Sequence, residues 1–229
     1  MLSTFLRRRG ARVVRRYAAS ARSNTLTLVA VNDVYDLEHL PKLRTLVDAV
    51  KAERAGGTVI TTLAGDFLSP SVLSSLDRGR GMVQVLNAVG IEFACLGNHE
   101  ADVGLEALRK RLGEFEATLI NSNVPGAAED APATAVVELP GGKRVGLLGL
   151  LTSEPGVFRK DVRTRRLSMA PSAHRFSPLA GLSRAQDRRR TLNRKDIVGG
   201  APRRRRCSCC CINTSINRRG PRIIKSGLR

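Results

Sequence analysis

The stretch "IEFACLGNHEAD", residues 91–102, begins as a short apolar run and stops abruptly on Gly97, Asn98, His99 and Glu100. The apolar run has the length and composition of a buried β-strand. Four residues that fill a hydrophobic core poorly follow it directly. The simplest interpretation is a polar turn that happens to contain a histidine. The segments on either side decide whether that interpretation holds.

The neighbouring segments alternate between strand-like and helix-like patterns. Short apolar runs rich in β-branched residues predict buried strands at residues 25–31, 58–64, 91–96 and 117–120. Apolar residues spaced three and four apart predict helices around residues 40–50, 82–89 and 105–112. Two further runs flank Pro140-Gly141-Gly142 and predict a hairpin. Strands that alternate with helices indicate an α/β fold with a largely parallel sheet.

The net charge of +19 is carried by the two ends of the chain. Residues 1–23 carry +7, residues 24–161 carry −5, and residues 162–229 carry +17. The middle segment therefore reads as one slightly acidic globular domain. Residues 162–229 have almost no apolar periodicity, so we expect a disordered Arg-rich tail. Out-of-frame translation in the gene model best explains this Arg-rich composition, since GC-rich codons that are read out of frame yield Arg, Pro, Ser and Cys.

Residues 1–23 are rich in Arg, Ala and Ser and contain no acidic residue, which is typical of an organellar transit peptide. The stretch Arg15–Ala18 is similar to a cleavage site of mitochondrial presequences. We therefore expect import into mitochondria, with a plastid as the alternative destination and a disordered basic tail as the structural alternative. No segment approaches the roughly 20 apolar residues that a membrane span needs.

Polar side chains follow three of the predicted strands, at the points where those strands end. Asp33 follows the first strand, Asp66 follows the second, and Asn98 and His99 follow the third. Because ligands bind beyond the carboxyl ends of parallel strands, we expect these side chains at one edge of the sheet. Carboxylate and amide oxygens suit Mg²⁺ or Mn²⁺, and imidazole suits Zn²⁺, Fe or Mn²⁺. The sequence predicts a divalent-metal site, with Asp66 bridging two ions.

His99 has a different predicted role, because it stands beside a ligand and is expected to point elsewhere. Its imidazole would be free to protonate a leaving oxygen or to stabilise a transferring phosphoryl group. Asp102 lies three residues further on. Its carboxylate could fix the tautomer of the imidazole and favour the charged form.

Three pieces of the chain together resemble signatures of the calcineurin-like metallophosphoesterases. They are Asp33-Val34-Tyr35, Gly65-Asp66 followed at a distance by Ser71, and the run "GNHEAD" at residues 97–102. The last piece, together with "VNDVYDLEHLPKL", is most similar to the 5′-nucleotidase branch. The resemblance covers about residues 24–161 and implies the N-terminal half of a four-layer α/β/β/α sandwich.

The resemblance also implies a function. A member of this family hydrolyses phosphoric monoesters with water activated by two divalent ions (Mn, Mg, Zn or Fe), and this branch acts on nucleotides. Carried over to this chain, the metal ligands are Asp33, Asp66 and Asn98, and the acid is the pair His99–Asp102. A specific nucleic-acid partner is not expected.

The chain departs from the family pattern at two places. The first motif of the family has a histidine ligand where this chain has Tyr35, which is either a weak metal ligand or a plain aromatic residue. The family also supplies histidines from later strands, whereas this chain has only His174 beyond Asn123. Two functions therefore stay open. One is a metal-dependent phosphoric-ester hydrolase. The other is a truncated, catalytically silent relative whose basic tail binds nucleic acid or other polyanions non-specifically.

Overall fold

The computed structural model describes residues 12–17, 25–124, 128, 130–152, 157–158, 208–213 and 222–226. The strands are β1 (Val13–Arg16), β2 (Leu26–Val31), β3 (Thr58–Ala64), β4 (Phe93–Cys95), β5 (Thr118–Leu119), β6 (Thr134–Glu138), β7 (Arg144–Leu150), β8 (Ser208–Asn213) and β9 (Arg222–Ser226). The helices are α1 (Leu40–Glu53), α2 (Val72–Asp77), α3 (Arg80–Val89) and α4 (Leu105–Glu114).

The strands form two sheets. The first has the order β5-β4-β3-β2-β9, in which β2 to β5 are mutually parallel and β9 is antiparallel. The second has the order β1-β6-β7-β8. Between β6 and β7 the chain turns through Pro140–Gly142, and the two strands pair antiparallel. The α/β fold and the hairpin are therefore confirmed.

The first sheet is buried on both faces, because its side chains alternate between two cores. Leu28, Ile60 and Phe93 face the second sheet, where they pack with Val137 and Leu147. Residues on the opposite face pack against the helices. The described residues thus form a helical layer and two sheets, which are three of the four layers implied by the family resemblance.

The helical layer packs through apolar stripes, as the sequence predicts. In α3, Met82, Val83, Leu86 and Val89 are all buried against the first sheet. Glycine ends this helix, since Gly90 adopts a left-handed conformation at its C-cap. The short helix α2 was not predicted, and its residues Val72 and Leu76 are exposed. No helix among the described residues is long and apolar enough to cross a membrane.

Three strands lie in the stretches predicted to be tails. Strand β1 pairs parallel with β6, β8 pairs parallel with β7, and β9 pairs antiparallel with β2. The structure thus describes strands within stretches for which disorder is predicted, at short runs of Val, Cys and Ile, which favour strands. For the remainder of both stretches, disorder stays a prediction. The rest of both stretches, including Ala18 and His174, lies outside the described residues.

Candidate functional site

The structure places Asp33, Asp66 and Asn98 just beyond the carboxyl ends of β2, β3 and β4, which are adjacent and parallel. Direct contacts tie the three loops together. The N–H group of Asp33 donates to the carbonyl oxygen of Gly65 at 3.3 Å. The N–H group of His99 donates to Oδ1 of Asp66 at 2.9 Å. The strand ends therefore bring the predicted polar residues to one edge of the sheet.

Asp33 and Asp66 share an unusual backbone conformation. Their φ angles are 54° and 56°, in the left-handed region that residues with a Cβ atom rarely adopt. Aspartate and asparagine tolerate this region better than most residues, because their short polar side chains bond locally. Such strain persists where the surrounding structure enforces it, and it concentrates at functional sites. Two neighbouring strands thus end in strained aspartates.

The carboxylate of Asp66 lies in an unfavourable environment for a negative charge. The residue is only 7% exposed. Burial raises the pKa of Asp66 to about 6, and the carboxylate of Asp33 adds to this shift, while the N–H group and the positive charge of His99 oppose it. A bound cation would relieve both the repulsion from Asp33 and the loss of solvation.

Asn98 is held so that its amide has a defined orientation. Its Nδ2 group donates to the carbonyl oxygen of Val157 at 2.9 Å, and the residue is 8% exposed. Because Nδ2 is the donor of the amide, this bond leaves Oδ1 as the acceptor for a ligand. A carbonyl oxygen is the atom that Mg²⁺ or Mn²⁺ would bind.

Tyr35 contacts the site through Asp33. Its hydroxyl donates to Oδ1 of Asp33 at 2.7 Å, and the side-chain amide of Asn32 contacts the other carboxylate oxygen. Burial, the hydrogen bond to Asp33 and the nearby carboxylates raise the pKa of Tyr35 above its usual value. The Tyr35 hydroxyl therefore contacts a predicted ligand, Asp33, and its own binding to a metal stays a prediction.

His99 and Asp102 form the side-chain pair that their spacing suggests. Nδ1 of His99 lies 2.8 Å from Oδ2 of Asp102, so the imidazole donates and the carboxylate accepts. The Asp102 side chain is 6% exposed and that of His99 is 34% exposed. With Nδ1 held in this way, Nε2 is the nitrogen that can exchange a proton with a ligand.

Glu100 is a member of the site that the sequence analysis missed. It is 1% exposed, and its carboxylate accepts hydrogen bonds from four backbone N–H groups. Burial and the charge of Asp66 raise the pKa of Glu100 to about 7, against the effect of these N–H groups. Its position three residues after Gly97 resembles the spacing at which a glutamate reaches back to a helix N-cap. This spacing is the feature of the sequence from which the role of Glu100 could have been predicted.

The chemistry of the donor set suits an oxygen-bound divalent cation. Asp33 and Asp66 supply carboxylates, Asn98 supplies a carbonyl oxygen, and water could complete the coordination. In the part of the chain that the structure describes, no group of three or more His, Cys, Asp and Glu residues could hold a metal ion.

The chain is similar to known proteins over part of its length. The chain is 36% identical over 111 residues to a probable 5′-nucleotidase of Treponema pallidum, a match that covers 46% of this chain and 18% of that protein. The chain thus resembles the 5′-nucleotidase branch of the calcineurin-like metallophosphoesterases over part of its length. It is also 35% identical over 98 residues to an uncharacterized protein of Acinetobacter calcoaceticus, covering 39% of this chain and 47% of that one. No protein-family model matches the chain.

Solved structures of phosphoesterases show the same fold. NAD nucleotidase of Haemophilus influenzae superposes with a TM-score of 0.58 at 17% identity, over 71% of this chain and 36% of that one. A calcineurin-like phosphoesterase of Bacillus subtilis superposes with a TM-score of 0.54 at 15% identity, over 71% of this chain and 59% of that one. The chain thus spans less than half the length of the curated relatives it matches, and it shares the metallophosphoesterase fold.

Proposed function

We propose that this protein is a metal-dependent hydrolase of phosphoric monoesters, with a nucleotide as the substrate. One observation carries the proposal: Asp33, Asp66 and Asn98 follow three adjacent parallel strands, beside a hydrogen-bonded His99–Asp102 pair. The relatives named above support the class of reaction, because they include a probable 5′-nucleotidase and an NAD nucleotidase.

Each residue of the site has a chemical task in this proposal. Asp33, Asp66 and Asn98 would hold a divalent cation through oxygen atoms. Such an ion lowers the pKa of a bound water and neutralises charge on a phosphoryl group. His99 would donate a proton from Nε2 to the leaving oxygen of the ester. Asp102 would keep the ring oriented and stabilise its positive charge.

The activity of the chain is expected to be low. The family resemblance implies two ions held partly by imidazoles, and this chain has only three histidines, His39, His99 and His174. His39 is exposed on the turn before α1, and His99 is paired with Asp102. A cation held by three oxygen donors and water would bind weakly. Hydrolysis should therefore be far slower than the ~1–10³ s⁻¹ of ordinary enzymes.

The proposal is tested with the purified chain, Mn²⁺ and two esters, adenosine 5′-monophosphate and p-nitrophenyl phosphate. Asp66→Asn retains the size and the Oδ1 acceptor of Asp66 but removes its charge, so it should abolish Mn²⁺-dependent turnover. Glu106→Gln, in the first turn of α4, is the matched control and should retain it. Equal turnover by wild type and Asp66→Asn would contradict the proposal.

A second candidate function rests on a different observation, the charge of +17 on residues 162–229. Such a segment binds phosphate backbones through counterion release, without sequence preference. Oligonucleotide binding that weakens steeply with salt, and that Asp66→Asn leaves unchanged, would support this function. Absence of binding at low salt would exclude it.

The cellular location is proposed from composition. The arginine-rich, acid-free residues 1–23 favour delivery to mitochondria, with a plastid as the alternative. A fluorescent reporter that carries residues 1–23 should enter the organelle. A purely cytosolic signal would contradict the proposal.

A further inference from the structure

Four backbone N–H groups from two separate loops converge on the carboxylate of Glu100. Oε2 accepts from Asp66 at 2.9 Å and also from Gly97. Oε1 accepts from Phe67 at 2.6 Å and from Leu68 at 3.2 Å. A carboxylate offers about four acceptor positions on its two oxygens, so these four N–H groups occupy all of them. Glu100 therefore joins the loop after β3 to the loop after β4.

The convergence follows from the backbone of the loop after β3. Gly65 and Asp66 have φ angles of 76° and 56° in succession. Successive N–H groups in such turns point toward a common centre and form a concave anion site. In this protein the anion is the side chain of Glu100. The three consecutive N–H groups that bond to Glu100 begin at Asp66, the residue in the left-handed conformation.

The two joined loops carry the groups of the candidate metal site. Asp66 comes from the loop after β3, and Asn98 comes from the loop after β4. The loops are also in close contact, because a Cβ atom built at Gly65 would overlap the backbone of Gly97. With both loops bonded to one buried carboxylate, neither Asp66 nor Asn98 can shift independently of the other.

We infer that Glu100 is a positioning residue, which sets the separation between Asp66 and Asn98 so that both can bind one divalent cation. The binding of a cation rests on the proposed function. The linkage of the two loops by Glu100 rests on the hydrogen bonds alone. Glu100 does not itself offer an oxygen to the cation, because all four bonds of its carboxylate go to the backbone. Its effect on the site is transmitted through the N–H groups of Asp66 and Gly97.

The first experiment measures Mn²⁺ affinity of the full chain by the electron paramagnetic resonance signal of free Mn²⁺. Glu100→Gln preserves shape but turns one acceptor oxygen into a donor that opposes the backbone N–H groups. Loss of such an orienting contact should weaken Mn²⁺ binding by about 10- to 100-fold. Val137→Ala, in the core between the sheets, is the control for general destabilisation and should leave Mn²⁺ affinity unchanged. Unchanged affinity in Glu100→Gln would overturn the inference.

The second experiment needs no metal and separates this inference from the proposed function. Hydrogen exchange in the metal-free protein should show the N–H groups of Asp66, Phe67, Leu68 and Gly97 protected like those of the sheet. Glu100→Gln should accelerate exchange at these four positions while β6 and β7 remain protected. If wild type binds no Mn²⁺, the proposed function fails and exchange still tests Glu100. Exchange of these four groups at the rate of an open loop in wild type would overturn the inference, even if Glu100→Gln did not fold.

Discussion

Oδ1 of Asp66 accepts a hydrogen bond from the backbone N–H group of His99 at 2.9 Å, although the two residues follow different strands. The carboxylate that would bind a cation is thereby bonded to the residue that would deliver the proton. The same strand ends are bridged a second time by Glu100, at the N–H groups of Asp66 and Gly97. The loops after β3 and β4 are therefore joined twice, by Asp66 and by Glu100.

The close contact of these loops leads to a prediction about Gly97. A methyl group at this position would overlap the backbone and the carboxylate of Asp66. We expect Gly97→Ala to lower the free energy of unfolding by about 1–3 kcal/mol, as overpacking does, and to weaken Mn²⁺ binding as well. Urea unfolding and Mn²⁺ titration measure the two effects.

Gly113 provides the matched control for this substitution. It lies in α4, is exposed, and has open space where a Cβ atom would be added. Gly113→Ala should therefore stabilise the protein by about 0.5–1 kcal/mol, the usual gain of alanine over glycine in a helix. If the two variants were equally stable, the close packing of Gly97 on Asp66 would be disproved.

The His99–Asp102 pair gives a prediction about leaving groups. Asp102→Asn removes the carboxylate that stabilises the charged imidazole, at a hydrogen bond of 2.8 Å. General acid catalysis contributes about 10²–10⁴-fold to the rate. If His99 is the general acid, Asp102→Asn should slow hydrolysis by up to that factor. The loss should be large for adenosine 5′-monophosphate, whose alkoxide leaves poorly. It should be small for p-nitrophenyl phosphate, whose phenolate needs little protonation. Equal losses with both esters would exclude His99 as the acid.

Much of this arrangement could be predicted from the sequence. The apolar runs predicted β2 to β5 to within about two residues, the runs flanking Pro140–Gly142 predicted the hairpin of β6 and β7, and the helical spacing predicted α1, α3 and α4. Asp33, Asp66 and Asn98 could be placed at one edge because parallel strands end on the same side. Each of these inferences rests on a pattern local to one segment.

The features that were missed depend on contacts between segments. The left-handed conformation of Asp33 and Asp66 could not be predicted from residue type, because residues other than glycine rarely adopt it. Glu100 is a charged residue whose complete burial is possible only because a distant loop supplies three N–H groups. Strand β1 lies among arginines, and its partner β6 is more than 100 residues away.

Cys95 should be inert toward thiol reagents in the folded protein. Its side chain is 1% exposed, between the two sheets. Burial and the charges of Glu100 and Asp66 raise the pKa of Cys95 to about 12, so the reactive thiolate is scarce at pH 8. Mass spectrometry after iodoacetamide treatment should find Cys95 unlabelled in the native state and labelled in urea. Rapid native labelling would show that the sheets open on the timescale of the reaction.

Removal of residues 1–23, as of a transit peptide, would take away strand β1 (Val13–Arg16). Strand β1 forms the outer edge of the second sheet, beside β6. The hydroxyl of Tyr17 and a guanidinium nitrogen of Arg15 both bond to the carboxylate of Glu92. Removal would expose the unpaired edge of β6 and leave Glu92 with Lys51 as its ion-pair partner.

A variant without residues 1–23 should therefore unfold more easily than one without residues 1–11, which retains β1. A hydrogen bond to a charged group contributes about 1.5–3 kcal/mol, and loss of the Tyr17–Glu92 bond alone should lower stability by that amount. Arg16→Ala is the control within β1, because its ion pair with Glu138 is exposed and contributes little. Urea unfolding compares the three proteins, and light scattering reports self-association through β6. Equal stability of the two truncated proteins would show that β1 is dispensable and that the domain tolerates cleavage after residue 23.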